Sequence, residues 1–266
     1  MSQALLRVVG LTCRFGGLLA VDNLDLVVHP RQLAGLIGPN GAGKTTVFNL
    51  LTGRVSATAG SVSFQGQAVL GLKSHQINRL GLARTFQNIR LFGELSVLDN
   101  VLVGFHGRLD ASFLSAILRL PGYRREERRT LARATELLEL VGLKDLADEQ
   151  AGNLAYGQQR LLEIARALAT APSMLLLDEP AAGMNPQETS DLALLVRRLR
   201  DEMGMTVLLI EHDMRFVMSL CEQITVLDHG KAIARGAPDE VQSDPAVIEA
   251  YLGVDLETEP SEAGHA

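Results

Sequence analysis

Apolar runs rich in Val, Leu and Ile recur at residues 24–28, 33–37, 174–177, 206–210 and 223–228. Each has the length of a buried strand. Helical patterns near residues 186–202 and 214–220 alternate with the later runs, an order that predicts parallel βαβ units. The middle of the chain has a different texture. From about residue 96 to 170 the strand signal fades, and Leu131, Leu137, Leu138 and Val141 recur at helical spacing. This pattern predicts a helical subdomain inserted into an α/β core. Gly236-Ala237-Pro238 opens a short C-terminal helical region that ends at Tyr251-Leu252-Gly253. The expected layout is one domain over residues 1–253: core segments at about 1–95 and 171–236, a helical subdomain at about 96–170, and C-terminal helices at about 237–253. Residues 257–266 are small, acidic and polar, and 254–266 are expected to form a flexible tail.

Composition narrows the setting. Hydrophobic residues make up 47% and charged residues 21% of the 266, as in ordinary globular domains. No run approaches the roughly 18 apolar residues that a membrane span requires. Arg7 and its polar neighbours interrupt the segment where a secretory signal would be unbroken and apolar, so export is not expected. Two cysteines, Cys13 and Cys221, make no disulfide framework and fit a reducing compartment. A formal net charge of -6 argues against general nucleic-acid binding, and no nucleic-acid partner is expected.

Chemistry first appears after the run at 33–37. Gly38-Pro39-Asn40-Gly41-Ala42-Gly43-Lys44-Thr45 fits the Walker A pattern. Average residue frequencies produce such a match in roughly one chain in a hundred of this length, so its setting has to decide. The setting agrees: an apolar strand precedes it and a helical stretch, residues 46–51, follows. Glycines let backbone N–H groups turn inward, and the helix N-terminus adds its dipole. Lys44 would reach the β- and γ-phosphates, and the Thr45 hydroxyl would ligate Mg²⁺. A glycine-rich turn with an exposed lysine is the competing reading, and the context disfavours it. At this level a kinase, a GTPase or a repair ATPase all remain open.

Met174-Leu175-Leu176-Leu177-Asp178-Glu179 is a buried-strand pattern ending in two acids, the Walker B arrangement. Ligands of open parallel sheets sit at the carboxyl ends of strands, where these acids fall. Asp178 would hold the Mg²⁺ shell, and Glu179 would orient or deprotonate the attacking water. Taken alone, an acid pair after a strand is usually a solvated turn; the phosphate-loop pattern reverses that balance. His212, in Ile210-Glu211-His212-Asp213, follows another strand. A histidine so placed is often a hydrogen-bonded structural residue, but beside a γ-phosphate it would act as a sensor.

Asn153-Leu154-Ala155-Tyr156-Gly157-Gln158-Gln159-Arg160, with the helical run that follows, resembles the signature motif of the ABC ATPase family. Arg84-Thr85-Phe86-Gln87 resembles its Q-loop, Ala181-Ala182-Gly183-Met184-Asn185-Pro186 its D-loop, and His212 its H-loop histidine. Phe15 stands where that family stacks adenine. The resemblance runs from about Leu5 to Gly253. It implies an α/β P-loop ATPase with a mostly parallel core sheet, an N-terminal antiparallel β subdomain and an inserted α-helical subdomain. It also implies ATP and Mg²⁺ as cofactors. Gly38, Asn40, Gly41, Gly43, Lys44, Thr45 and Thr46 would bind nucleotide with Asp178 and Phe15. Glu179, His212 and Gln87 would act in catalysis, and Thr45, Gln87 and, through water, Asp178 would hold the metal. Two subunits would pair head to tail, so that Ala155, Tyr156, Gly157 and Gln158 of one meet the ATP on the other's phosphate loop. The signature is itself a helix N-terminus and so a second anion site. Gln87 would couple γ-phosphate presence to rotation of the helical subdomain, and hydrolysis would remove the preference for the closed pair.

Two departures mark a subfamily: Ala155 replaces a common serine and Asn185 a common aspartate. With Ile210-Glu211-His212-Asp213-Met214 and Ala250-Tyr251-Leu252-Gly253, they are similar to the LivG-type ATPases of branched-chain amino-acid importers. The segment 105–133 also looks like that subfamily. Its cluster Arg124, Arg125, Arg128 and Arg129, interleaved with Glu126 and Glu127, reads mainly as a solvated helix face, with docking to a permease or anionic lipid as the minority reading. The resemblance implies a second ATPase subunit (non-identical, with a homodimer possible), two membrane permeases and, indirectly, a periplasmic binding protein. It places the chain peripherally on the cytoplasmic face of the inner membrane. The alternatives are the ATPase of a urea or amide importer, a lipopolysaccharide-export ATPase, or a non-transport ABC ATPase. Translation-type members carry two cores in one chain and repair-type members a long coiled coil, neither of which this sequence has.

Overall fold

The computed structural model describes residues 3–105 and 121–257, with the backbone alone described at 121–124 and 252–257. The chain divides into two compact units, Met1–Gly71 with Leu208–Ala266, and Leu72–Val207. The division falls within one strand.

In the first unit, β1 (Leu6–Phe15) and β2 (Leu18–Val28) form an antiparallel hairpin with Leu6 opposite Val28 and Phe15 opposite Leu18. β4 (Ala59–Phe64) pairs with the other edge of β1 and β5 (Gln67–Ala68) with β4, giving the order β2-β1-β4-β5. Alternation drives this sheet: Leu6, Val8, Leu11 and Cys13 are buried, as are Val21, Leu24, Leu26 and Val28, while much of the remainder faces out. β3 (Leu33–Ile37) is buried at every position and runs parallel to β9 (Gln223–Asp228). β10 (Lys231–Gly236) returns antiparallel to β9 through His229-Gly230. Both turn residues have positive φ (44 and 82), as the primed two-residue hairpin turns require. α1 (Lys44–Leu51) buries Val47, Phe48, Leu50 and Leu51. Each such side chain contributes about 1.5–3 kcal/mol of burial free energy.

In the second unit, β6 (Leu82–Arg84) runs parallel to β7 (Met174–Asp178), with Leu82 opposite Met174 and Arg84 opposite Leu176. α2 (Ser74–Arg79) leads into β6. Three helices pack together: α3 (Val97–Phe105), α4 (Pro121–Leu140) and α5 (Tyr156–Ala169). Val97, Val101, Ala134, Leu138, Leu162 and Ala165 are buried among them. α6 (Pro186–Met203) ends at Gly204, whose φ of 66 suits a glycine cap. β8 (Thr206–Ile210) is buried throughout and contains the division between the units. Past it, α7 (Met214–Leu220), α8 (Pro238–Gln242) and α9 (Pro245–Glu257) complete the first unit.

The strands expected at 33–37, 206–210 and 223–228 have those bounds, and the run at 24–28 is the last part of the longer β2. β1, β4 and β10 arise where alternation left no continuous apolar run to read. The described residues of 97–169 are mainly helical, and residues 106–120 of the segment 105–133 lie outside the described residues. Arg125, Arg128 and Arg129 are exposed on α4 beside Glu126 and Glu127. The side chain of Arg124 and residues 258–266 of the expected tail lie outside the described residues. No described helix is long and apolar enough to cross a membrane.

Candidate active site

β3 delivers the chain into a loop that main-chain atoms enclose. A Cβ on Gly38 (φ +147) would sit 2.0 Å from the carbonyl oxygen of Leu227, and one on Gly43 (φ +101) 2.4 Å from that of Ala20. Neither position admits a side chain. The loop is tied by Ala42 N–H to Pro39 O (3.2 Å), and Gly230 N–H donates to Ala42 O at 3.0 Å. Lys44 is buried, and its Nζ donates to Gly38 O at 2.6 Å and Pro39 O at 2.9 Å. Asn40, Gly41 and Thr45 are exposed and Thr46 is half-buried. No side chain caps the first N–H groups of α1, which suits an anion ligand there. Phe15, at the end of β1, is 48% exposed, an aromatic face available for stacking. His212 follows β8 and is exposed, while Glu211 beneath it is buried. The His212 N–H donates to Glu211 Oε2 at 3.2 Å, and Nδ1 lies 3.8 Å from the same oxygen.

The second unit holds the acids. Asp178 is buried at the end of β7, where its Oδ2 accepts from Arg84 Nη2 at 2.6 Å and its N–H donates to Thr85 Oγ1 at 3.3 Å. Oδ1 is buried without a hydrogen-bond partner. Glu179 has φ +48, a left-handed conformation uncommon outside glycine and typical of functional sites. Its Oε2 accepts from Gln87 Nε2 at 3.1 Å, so two residues 92 positions apart meet side chain to side chain. Among the described residues no group of three His, Cys, Asp or Glu could hold a metal by protein ligands alone. Asp178 with its unpartnered oxygen instead fits the one-carboxylate manner of Mg²⁺, which keeps waters and shares phosphate oxygens.

Ala155 and Tyr156 are exposed at the start of α5, whose first N–H groups have no side-chain cap. Gly157 is buried against the Glu188 carboxylate, and Gln158 Oε1 accepts from Ala155 N–H at 3.1 Å. Asn185 caps α6, its Oδ1 accepting from Gln187 N–H (2.9 Å) and Glu188 N–H (3.0 Å), and Glu188 Oε2 accepts back from Asn185 N–H at 2.8 Å. Asparagine and aspartate cap equally well, so this departure leaves the local structure intact. The motifs contain Arg84 and Arg160 but gave neither a role, and they do not include Glu163: Arg84 pairs with Asp178, and Arg160 and Glu163 of α5 are buried beneath the main chain of Phe86 and Gln87. Burial pushes the Glu163 carboxyl above its ordinary range, opposed by backbone N–H groups and by Arg160.

A family model described as ABC transporter matches residues 21–182. The chain belongs to the ABC transporter ATP-binding family. A second model, branched-chain amino acid ATP-binding cassette transporter, matches residues 233–257. Among curated ABC relatives, the high-affinity branched-chain amino acid transport ATP-binding protein BraF of Pseudomonas aeruginosa is 51% identical over 253 residues, 95% of this chain and 99% of BraF. LivG of Escherichia coli K12, named in the same terms, is 50% identical over 253 residues with the same shares covered. The solved ADP conformation of an ATP-binding cassette of an ABC transporter aligns with a TM-score of 0.83 and 34% identity, covering 95% of this chain and 100% of that one. A nucleotide-free cassette aligns at 0.82 with 33% identity, covering 94% and 99%. This ABC cassette is accordingly a nucleotide-binding ATPase of α/β fold.

Proposed function

We propose that the chain energises uptake of branched-chain or related hydrophobic amino acids, as the ATPase subunit of an importer on the cytoplasmic face of the inner membrane. One observation carries this reading: about half of all positions are shared with BraF and LivG across 99% of their lengths. The match of residues 233–257 to the branched-chain model supports it independently of the nucleotide motifs. Partners would be a second ATPase subunit, two permeases and, through them, a periplasmic binding protein.

The residue roles rest on side-chain chemistry and, for Phe15, Gln87 and the signature residues, on resemblance to the family's motifs. The N–H groups around Gly38, Asn40, Gly41 and Gly43 cradle phosphates, and Lys44 exchanges its bonds to loop carbonyls for bonds to phosphate oxygens. Phe15 stacks the adenine, while Thr45 and Thr46 present hydroxyls to the nucleotide and metal. Asp178 (through water), the Thr45 hydroxyl and the Gln87 amide oxygen would hold Mg²⁺, which would supply charge neutralisation to the phosphates. Glu179 orients and deprotonates the attacking water, and His212 senses the γ-phosphate. Ala155, Tyr156, Gly157 and Gln158 offer their helix terminus to the partner subunit's nucleotide.

The test is transport in cells lacking the chain. Wild type should restore labelled leucine uptake, and Glu179→Gln should bind ATP but restore none. Lys44→Ala should lose nucleotide binding itself. Restored urea uptake with no leucine uptake would replace the substrate assignment, and normal turnover by Glu179→Gln would remove Glu179 from catalysis.

A further inference from the structure

Arg160 reaches the loop that carries Gln87. Its Nη1 donates to Phe86 O at 2.6 Å, and its Nη2 donates to Gln87 O and, at 2.9 Å, to the Tyr156 hydroxyl. Glu163, one turn further along α5, accepts from Phe86 N–H through Oε1 at 3.2 Å. Both backbone groups of Phe86 are thus satisfied by α5 side chains. The other carboxylate oxygen, Oε2, is buried with no hydrogen-bond partner and lies 3.6 Å from Arg160 Nη1, where it balances the guanidinium charge. Both side chains are 3% exposed.

A buried ion pair is weak evidence for stability, because apolar residues of the same volume often do as well. What apolar residues cannot do is bind three main-chain groups of two successive loop residues. A planar fork with five donors can hold two successive carbonyls at once, and a lysine cannot match that geometry. The bonds end at the residue whose side chain touches Glu179. Gln87 has three rotatable side-chain bonds, so the 3.1 Å contact to Glu179 Oε2 depends on where its backbone is held.

We propose that Arg160 and Glu163 clamp the Phe86–Gln87 main chain to α5, and that Arg160 is thereby a positioning residue for ATP hydrolysis, acting through Gln87 on Glu179. The clamp joins the helix that starts at the signature to the catalytic carboxylate within one unit. It rests on the reading of Gln87 and Glu179 given above.

The experiment measures Mg-ATP hydrolysis by the full-length chain carrying Arg160→Lys, Glu163→Gln or Gln87→Ala, and by each clamp variant combined with Gln87→Ala. Amide hydrogen exchange at Phe86 and thermal melting are read on the same samples. Arg160→Lys keeps the charge and Glu163→Gln the shape, so one serves if the other fails to fold. Each is expected to speed exchange at Phe86 and to lower kcat about tenfold or more, with KM for ATP moving far less. In the Gln87→Ala background neither should lower kcat further, which a merely structural role would not produce. Full, multiplicative losses in that background would overturn the proposal while leaving the role of Gln87 in place. Fast exchange at Phe86 with wild-type kcat would overturn it too. A wild-type rate from Gln87→Ala alone would remove the reading beneath it.

Discussion

Arg84→Met tests whether the pair on β6 and β7 behaves as a buried charge pair. The two side chains are 6% and 2% exposed, with Nη2 2.6 Å from Asp178 Oδ2. Methionine keeps most of the apolar stem and its place near the Phe86 ring, over which the guanidinium lies at 5.4 Å. It removes the charge and leaves the buried Asp178 carboxyl without its cationic partner. Breaking a buried pair from one side costs about 3–5 kcal/mol, mostly the uncompensated charge. At about 2–4 °C per kcal/mol for a chain of this size, Tm should fall by about 6–20 °C. The α6 pair Arg198–Glu202 is the control. Its separation is similar, 2.8 Å, but its side chains are 51% and 60% exposed, so Arg198→Met should cost about 0.5 kcal/mol or less. Differential scanning calorimetry on both variants, with Arg84→Met/Asp178→Asn added, separates the terms. The double variant should recover much of the loss, since neither charge is then left alone. If Arg84→Met melts with Arg198→Met, the pair is not the desolvated one its burial implies.

Other perturbations probe single features. Gly38→Ala places a Cβ 2.0 Å from a backbone oxygen that no rotamer can move, and should abolish ATP binding in an equilibrium titration; Gly41→Ala, whose Cβ meets nothing within 4 Å, should cost only about 1 kcal/mol of backbone strain by thermal melting. Asn185→Ala should lower stability by about 1 kcal/mol through loss of the α6 cap, whereas Asn185→Asp should melt like wild type; an unaffected Asn185→Ala would show that the cap contributes nothing. Both cysteines are buried and free, and burial pushes the Cys221 thiol up to about 12, so Ellman's reagent at pH 8 should react slowly with native protein and at once with two thiols in denaturant. Rapid labelling of the native chain would contradict that burial.

Much of this architecture could be read before any coordinates. β3, β8 and β9 sit where continuous apolar runs predict them, because strands buried on both faces leave an unbroken signal. β1 and β4 bury one face, and β6 has three residues, so no run marks them. The phosphate loop and the strand-end acids were legible because their chemistry is local in sequence. The asparagine cap went unread, although Asn185-Pro186-Gln187-Glu188 has the capping-box spacing with proline at the first helical position. The contacts that tune the acids were not legible. Arg84 meets Asp178 across 94 positions, Gln87 meets Glu179 across 92, and Arg160 meets Phe86 across 74. Parallel strand pairing and helix packing create these neighbours, and no local pattern encodes them. The positive φ of Glu179 is equally invisible, since glutamate has no preference for that region.

The segment after β6 is moored at two points. Its start is bonded to Arg160 and Glu163, and its far end to Asn100 of α3, whose side chain accepts from Phe92 N–H and donates to Phe92 O, each at 3.0 Å. Between the moorings lie Asn88, Ile89, Arg90 and Leu91. A span so short, anchored at both ends, should behave as a strut rather than a hinge, and lengthening it by inserted glycines should uncouple what happens at its middle from the helices that anchor it.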